Sequence, residues 1–125
     1  MAGISSKFDF NELVRLGLPV DRRGKGERVF AAGEEARAMY VVLSGEVEIV
    51  AYGEVLDRVR SGGLFGEMAL IDGEPRSANA DVSGDCELVE VDRETFIRLV
   101  RGAPEFALAV MSQLARRIRE MNDSL

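Results

Sequence analysis

Residues 62–78 read GGLFGEMALIDGEPRSA. Four glycines, three carboxylates and one arginine surround a short apolar core. LFGEMALI has the pattern of a helix of about two turns, stopped by Asp72-Gly73. Glycines at its entrance leave backbone N–H groups free to face an anion, and Gly66 allows close backbone approach where a Cβ would clash. Pro75 stiffens the return and fixes where Arg76 emerges. A guanidinium stays charged and can donate two parallel hydrogen bonds to phosphate oxygens. One arginine suits a singly charged phosphodiester better than a triphosphate, and no GKS or GKT follows as a P-loop requires. Glu67 would repel phosphate unless it serves another part of the ligand, and a sugar hydroxyl is a natural donor to it. Asp72 and Glu74 fall in the turn and are expected to face solvent.

The flanking sequence reads as a β-rich domain. Gly24 and Gly26 in RRGKGERVF mark a turn between short strands, and AAGEEARAM is a second connection. MYVVLSGEVEIVAYGEVLDRV is expected to give three strands, with turns at Ser44-Gly45 and Tyr52-Gly53. SANADV and CELVEV are expected to give two more, separated by Ser83-Gly84-Asp85. Short strands at regular spacing predict an antiparallel sandwich or barrel.

Helices are expected at both ends. FDFNELVRLGL (8–18) suits a short helix stopped by Gly17 and Pro19, with residues 1–7 a frayed end. Asp92 is a good N-cap for RETFIRLVR, which Gly102 closes, and Pro104 opens a longer helix. The apolar stripe of that helix is predicted at Phe106, Ala107, Val110, Met111, Leu114, Ala115, Ile118 and Met121. Arg116, Arg117 and Arg119 are expected on its solvated face.

Composition narrows the chemistry. The 125 residues carry a net charge of −6, one cysteine and no histidine. A single cysteine forms no internal disulfide, and Cys86, inside a strand-like stretch, is expected to be a buried or half-buried thiol in a reducing compartment. Without histidine there is no His-based zinc or iron site and no Ser-His or Cys-His nucleophile. A strongly acidic domain repels polyanions, so no nucleic-acid partner is expected. No apolar run approaches the roughly 20 residues of a membrane span and no signal-peptide core is present, so a cytoplasmic protein without membrane insertion is expected.

The stretch FGEMALIDGEPRSA closely resembles the phosphate-binding cassette of cyclic nucleotide-binding domains. VFAAGEEARAMYVVLSGEVEIV upstream and the two closing helices downstream extend the resemblance to about residues 18–122. It implies a single domain over 1–125: an N-terminal helical segment (1–17), an antiparallel jelly-roll β-barrel (18–91) holding the cassette (62–78), and C-terminal helices (92–122). It implies a non-catalytic regulatory domain that takes cAMP, with cGMP possible, and couples occupancy to the terminal helices. Glu67 matches the ribose-binding glutamate and Arg76 the phosphate-binding arginine. Gly66, Met68 and Ala69 match the short-helix backbone along the sugar-phosphate, and Ser77 and Ala78 supply the amides after the arginine. Serine rather than threonine at 77 favours cAMP. Asn79 and Asp81 depart from the family pattern and would make the pocket wall more polar if they pointed inward. Met111, Leu114, Ala115 and Ile118 are the candidates to close over the base. Nothing resembles the helix-turn-helix that the family's transcription factors append, so the expected partner is an unidentified protein or a second copy meeting the terminal helices. The alternative is an interaction module with an empty site. A cupin-like enzyme is weakest, because such barrels usually hold metal through histidine.

Overall fold

In a computed structural model, residues 8–123 are described. The predicted frayed end at 1–7 lies outside them. The first helix, α1 (Asn11–Arg15), is shorter than expected, because Asp9 takes the Asn11 amide at 2.9 Å and holds the chain before it out of the helix. Gly17 then turns the chain with φ 98°. The helix is anchored by Leu13, fully buried, and by Phe10 just before it.

Six strands follow: β1 (Val20–Arg23), β2 (Arg28–Phe30), β3 (Ala38–Ala51), β4 (Glu54–Arg60), β5 (Leu64–Phe65) and β6 (Asn79–Asp92). They pair antiparallel in the order β1-β6-β3-β4, with β2 also on β6 and β5 on β3. The fold is therefore mainly antiparallel β with flanking helices. Among the described residues no ladder joins β4 to β1 or β2, so hydrogen bonds do not close the sheet into the expected barrel.

Two predicted turns are not turns. β3 runs straight through Ser44-Gly45, and β6 runs through Ser83-Gly84-Asp85. The two interruptions lie opposite one another, and the β3–β6 register slips between Val42 and Val47. Gly45, at φ 87°, lies so close to the Asp85–Cys86 backbone that a side chain would overlap it. A glycine serves a bulge as well as a turn, and here the partner strand makes it a bulge. The slip also changes parity. Ala38, Tyr40 and Val42 face one core before it, whereas Val47 and Ile49 face that core after it. Tyr52-Gly53 is the turn the sequence predicts: both residues have positive φ, 53° and 76°, as a two-residue hairpin turn requires.

The alternation of β3 and β6 divides the interior in two. Met39, Val41, Val89 and Val91 pack with Phe10, Leu13, Leu99, Phe106 and Val110, which ties the helices to the sheet. Phe30, Tyr40, Val42, Val47, Val59, Phe65, Val82 and Leu88 fill the β interior, with Cys86 among them as expected. Burial raises the Cys86 thiol pKa, so it stays protonated and unreactive. The second cluster is the floor on which the cassette rests.

Two helices close the chain, α3 (Arg93–Gly102) and α4 (Pro104–Asp123), and α3 is capped by Asp92, whose side chain accepts from the Thr95 amide at 2.8 Å. The predicted stripe of α4 is only half right. Phe106, Val110 and Gln113 are its buried residues, whereas Met111, Ile118 and Met121 are exposed. Two stripes interleave on this helix, and the one through 106, 110, 113 and 117 docks on the sheet. Among the described residues no helix is long and apolar enough to cross a membrane.

Candidate functional site

The cassette is a short strand, a left-handed glycine and a six-residue helix. β5 pairs with Tyr40 and Val41 of β3, which sets the height at which the chain turns away. Gly66 takes φ 82°, and helix α2 (Glu67–Asp72) begins immediately after it and ends at Gly73. A Cβ on Gly66 would lie 2.8 Å from Arg76 Nη1 and 3.2 Å from Phe30 Cε2, so both conformation and space demand glycine. Asp72 and Glu74 are exposed, as expected, and Asp72 accepts from the Glu74 amide at 2.9 Å.

Arg76 is held from two directions. Its backbone amide donates to Glu34 O and its carbonyl accepts from the Gly33 amide, each at 2.8 Å, so the loop before β3 pins the cassette's return. Its side chain is 6% exposed and donates through Nη1 to Gly66 O at 2.6 Å and through Nη2 to Ala38 O. The guanidinium carbon sits 4.0 Å over the centre of the Phe30 ring. Burial lowers its pKa while Tyr40, Glu34 and Glu67 oppose the shift, and an arginine so treated remains a cation. Its Nε has no hydrogen-bond partner.

Glu67 is fully buried. Arg117, reaching down from α4, donates to its Oε1 and also lies 3.4 Å from Asp57 and 3.4 Å from Leu64 O. Burial raises the Glu67 pKa, and Arg117 is the main charge opposing that rise. One helical turn earlier, Gln113 accepts from the Leu64 amide at 3.0 Å and donates to the Leu64 carbonyl. Thus α4 grips β5 and α2 with two side chains four residues apart. Oε2 of Glu67 has no partner. It and Arg76 Nε are the two buried side-chain polar atoms left unsatisfied among the described residues, and each such atom costs about 1–3 kcal/mol.

Both side chains belong to the wall of a cavity of about 470 Å³, within the usual range for small-molecule sites. All seven residues singled out from the sequence line it: Gly66, Glu67, Met68, Ala69, Arg76, Ser77 and Ala78. Phe30, Ile49, Leu56, Asp57, Phe65, Arg117, Glu120 and Met121 complete the wall. Sequence reading missed these. Arg117 was expected in solvent, yet it continues the docked stripe of α4 four residues beyond Gln113, and that spacing was the available signal. None of Met111, Leu114, Ala115 and Ile118 reaches the cavity; Met121, Glu120 and Arg117 take that place. Asn79 and Asp81 do not make the wall more polar. Asn79 accepts from the Ala32 amide at 2.8 Å, and Asp81 pairs with Arg28 at 2.7 Å.

A chain that carries this cassette on this sheet, closed by a helix from the far end, matches the family model described as "Cyclic nucleotide-binding domain" over residues 22–102. The chain belongs to that family. It is 37% identical over 101 residues to the cyclic AMP receptor protein of Thermus thermophilus, which covers 77% of this chain and 47% of the relative. It is 29% identical over 106 residues to the CRP-like cAMP-activated global transcriptional regulator of Mycobacterium tuberculosis, covering 81% and 47% of the two. The crystal structure of the Thermus thermophilus catabolite activator protein superposes with a TM-score of 0.78 at 33% identity, over 91% of this chain and 56% of the other. The chain spans about half the length of the curated relatives it matches.

These relatives correct one expectation. The acidic net charge predicts no nucleic-acid partner, but a matched relative is a transcriptional regulator. Net charge describes the domain that carries it, and a regulator's contact with nucleic acid need not be made by its ligand-sensing part.

Proposed function

We propose that this domain binds a 3′,5′-cyclic nucleotide in the cavity beneath α4, with cAMP the first candidate and cGMP the second, and acts as a non-catalytic regulatory domain. The observation that carries this reading is the pair of orphaned buried atoms in one cavity wall, a cationic donor at Arg76 Nε and an anionic acceptor at Glu67 Oε2. A cyclic phosphodiester supplies an anion to the first, and a ribose 2′-hydroxyl supplies a donor to the second. Purine then fits the apolar side of the cavity near Leu56 and Met121. Serine at 77 supports cAMP over cGMP.

Neither orphaned atom is open to solvent. A ligand reaches them only as neighbouring side chains shift, and Arg117 is the one that joins Glu67 to α4. Ligand occupancy and the position of α4 are therefore coupled in this reading. The coupling is no larger than the ligand's difference in affinity between the two helix positions.

Thermal unfolding with cAMP tests the proposal. Saturation at a hundred times Kd adds about 2.7 kcal/mol of stability. A second reading, an interaction module with an unoccupied site, is favoured by the self-contained engagement of Arg76 with two carbonyls and of Glu67 with Arg117. It predicts no shift in the melting midpoint with millimolar cAMP or cGMP.

A further inference from the structure

We infer that Phe30 is a positioning residue for the ligand's phosphate, acting through Arg76 by fixing the plane of the guanidinium. This rests on the reading above, in which Arg76 meets the phosphate.

The Phe30 ring centre lies 4.0 Å from the guanidinium carbon, and Gly66 abuts both groups at their edge, with room for no side chain. Phe30 is only 8% exposed and is itself fixed by two other rings. Its centroid is 6.2 Å from that of Tyr40 and 5.9 Å from that of Phe65, and those two are stacked at 5.2 Å and 18°. The β2–β6 register slips between Arg28 and Phe30, so Arg28 pairs with Asp81 at the surface while Phe30 reaches the interior beside Ala80.

The chemistry follows from what a stacked guanidinium keeps. Contact with a ring face consumes no N–H. Of the five donors of Arg76, the two carbonyls of Gly66 and Ala38 take one on each Nη, which leaves Nε–H and one hydrogen on each Nη. The stack sets the plane in which those three point. The negative face of the ring also offsets part of the cost of burying the cation. An aliphatic side chain at 30 fills similar space but fixes no plane and offers no such face.

The test is a double-mutant cycle read by calorimetric titration with cAMP, on the wild-type chain, Phe30→Leu, Arg76→Ala and the double variant, with circular dichroism and melting as controls of folding. Phe30→Leu is expected to weaken cAMP about 3- to 30-fold, the range that a partly to fully desolvated cation–ring contact spans. Added to Arg76→Ala it should change affinity by less than about twofold, because its route to the ligand is gone. Phe30→Tyr and Phe30→Trp should restore binding to within about threefold, whereas Phe30→Met, which keeps bulk without a ring, should not. Those three variants decide the matter if Phe30→Leu fails to fold. A full effect of Phe30→Leu in the Arg76→Ala background, or rescue by methionine as good as by tyrosine, overturns the inference and leaves the phosphate site standing. An Arg76→Ala variant that binds cAMP like the wild type overturns the phosphate site, and the inference with it.

Discussion

Replacing Arg117 by methionine leaves the fully buried Glu67 carboxylate without its counter-ion while keeping most of the volume of the side chain. Arg117 donates to Oε1, and Oε2 has no hydrogen-bond partner. Breaking a buried pair from one side costs about 3–5 kcal/mol when the remaining charge must stay ionised. The arginine is 22% exposed, so the lower end of that range applies. The loss depends on pH with a definite sign. Burial already raises the Glu67 pKa above its ordinary value, so above that value the folded state holds a proton that the unfolded state has released. Stability therefore falls as pH rises through that window. In the wild type Arg117 restrains the rise; in the variant the window extends upward. Urea unfolding of both proteins from pH 5 to pH 8 should show the larger loss at the alkaline end, and Glu67→Gln added to Arg117→Met should remove most of the pH dependence. A loss below about 1 kcal/mol at every pH, parallel to the wild type, would refute the claim that Arg117 balances a desolvated charge.

How much of this was legible in the sequence depended on distance along the chain. The Tyr52-Gly53 turn, the Asp92 cap, the stop of the cassette helix at Gly73 and the solvent-facing Asp72 and Glu74 are each decided by a few neighbouring residues and agree with the sequence reading. That helix, however, starts at Glu67 and not at the expected Leu64, because Leu64 and Phe65 pair with β3 instead. Ser44-Gly45 was misread because the same glycine conformation serves a turn or a bulge, and the choice is made by Asp85 and Cys86, some forty residues later. The cassette's own lining residues were legible because they share one short segment. Phe30, Leu56, Asp57 and Arg117 were not, because only the sheet and the docking of α4 bring them to the cavity. Arg117 is the instructive miss: among three arginines in four positions, one turns inward because Gln113 and Val110 lie on the same face.

Gly66→Ala should cost more than about 1 kcal/mol in a thermal melt, since a left-handed residue gains a Cβ 2.8 Å from Arg76 Nη1, and it should weaken cAMP binding in the same sample. Retained stability and affinity would show that the glycine and its close approach to Arg76 are not needed. Glu67→Gln should weaken binding of cAMP while hardly changing that of its 2′-deoxy analogue, and equal losses for both ligands would contradict the sugar assignment. For wild-type protein, cAMP affinity should fall as pH drops into the range where Glu67 takes up a proton, because a protonated carboxyl is a poorer acceptor; a flat profile down to pH 4.5 would argue that the carboxylate does not touch the ligand.

The most direct measurement is calorimetric titration of cAMP into the wild-type chain and into Arg76→Ala. The account predicts saturable binding with one ligand per chain, and a loss of about thirtyfold to several thousandfold in the variant, as expected for removing one partner of a desolvated charge pair. No heat of binding at millimolar cAMP, or a loss of less than about threefold in Arg76→Ala, would contradict it.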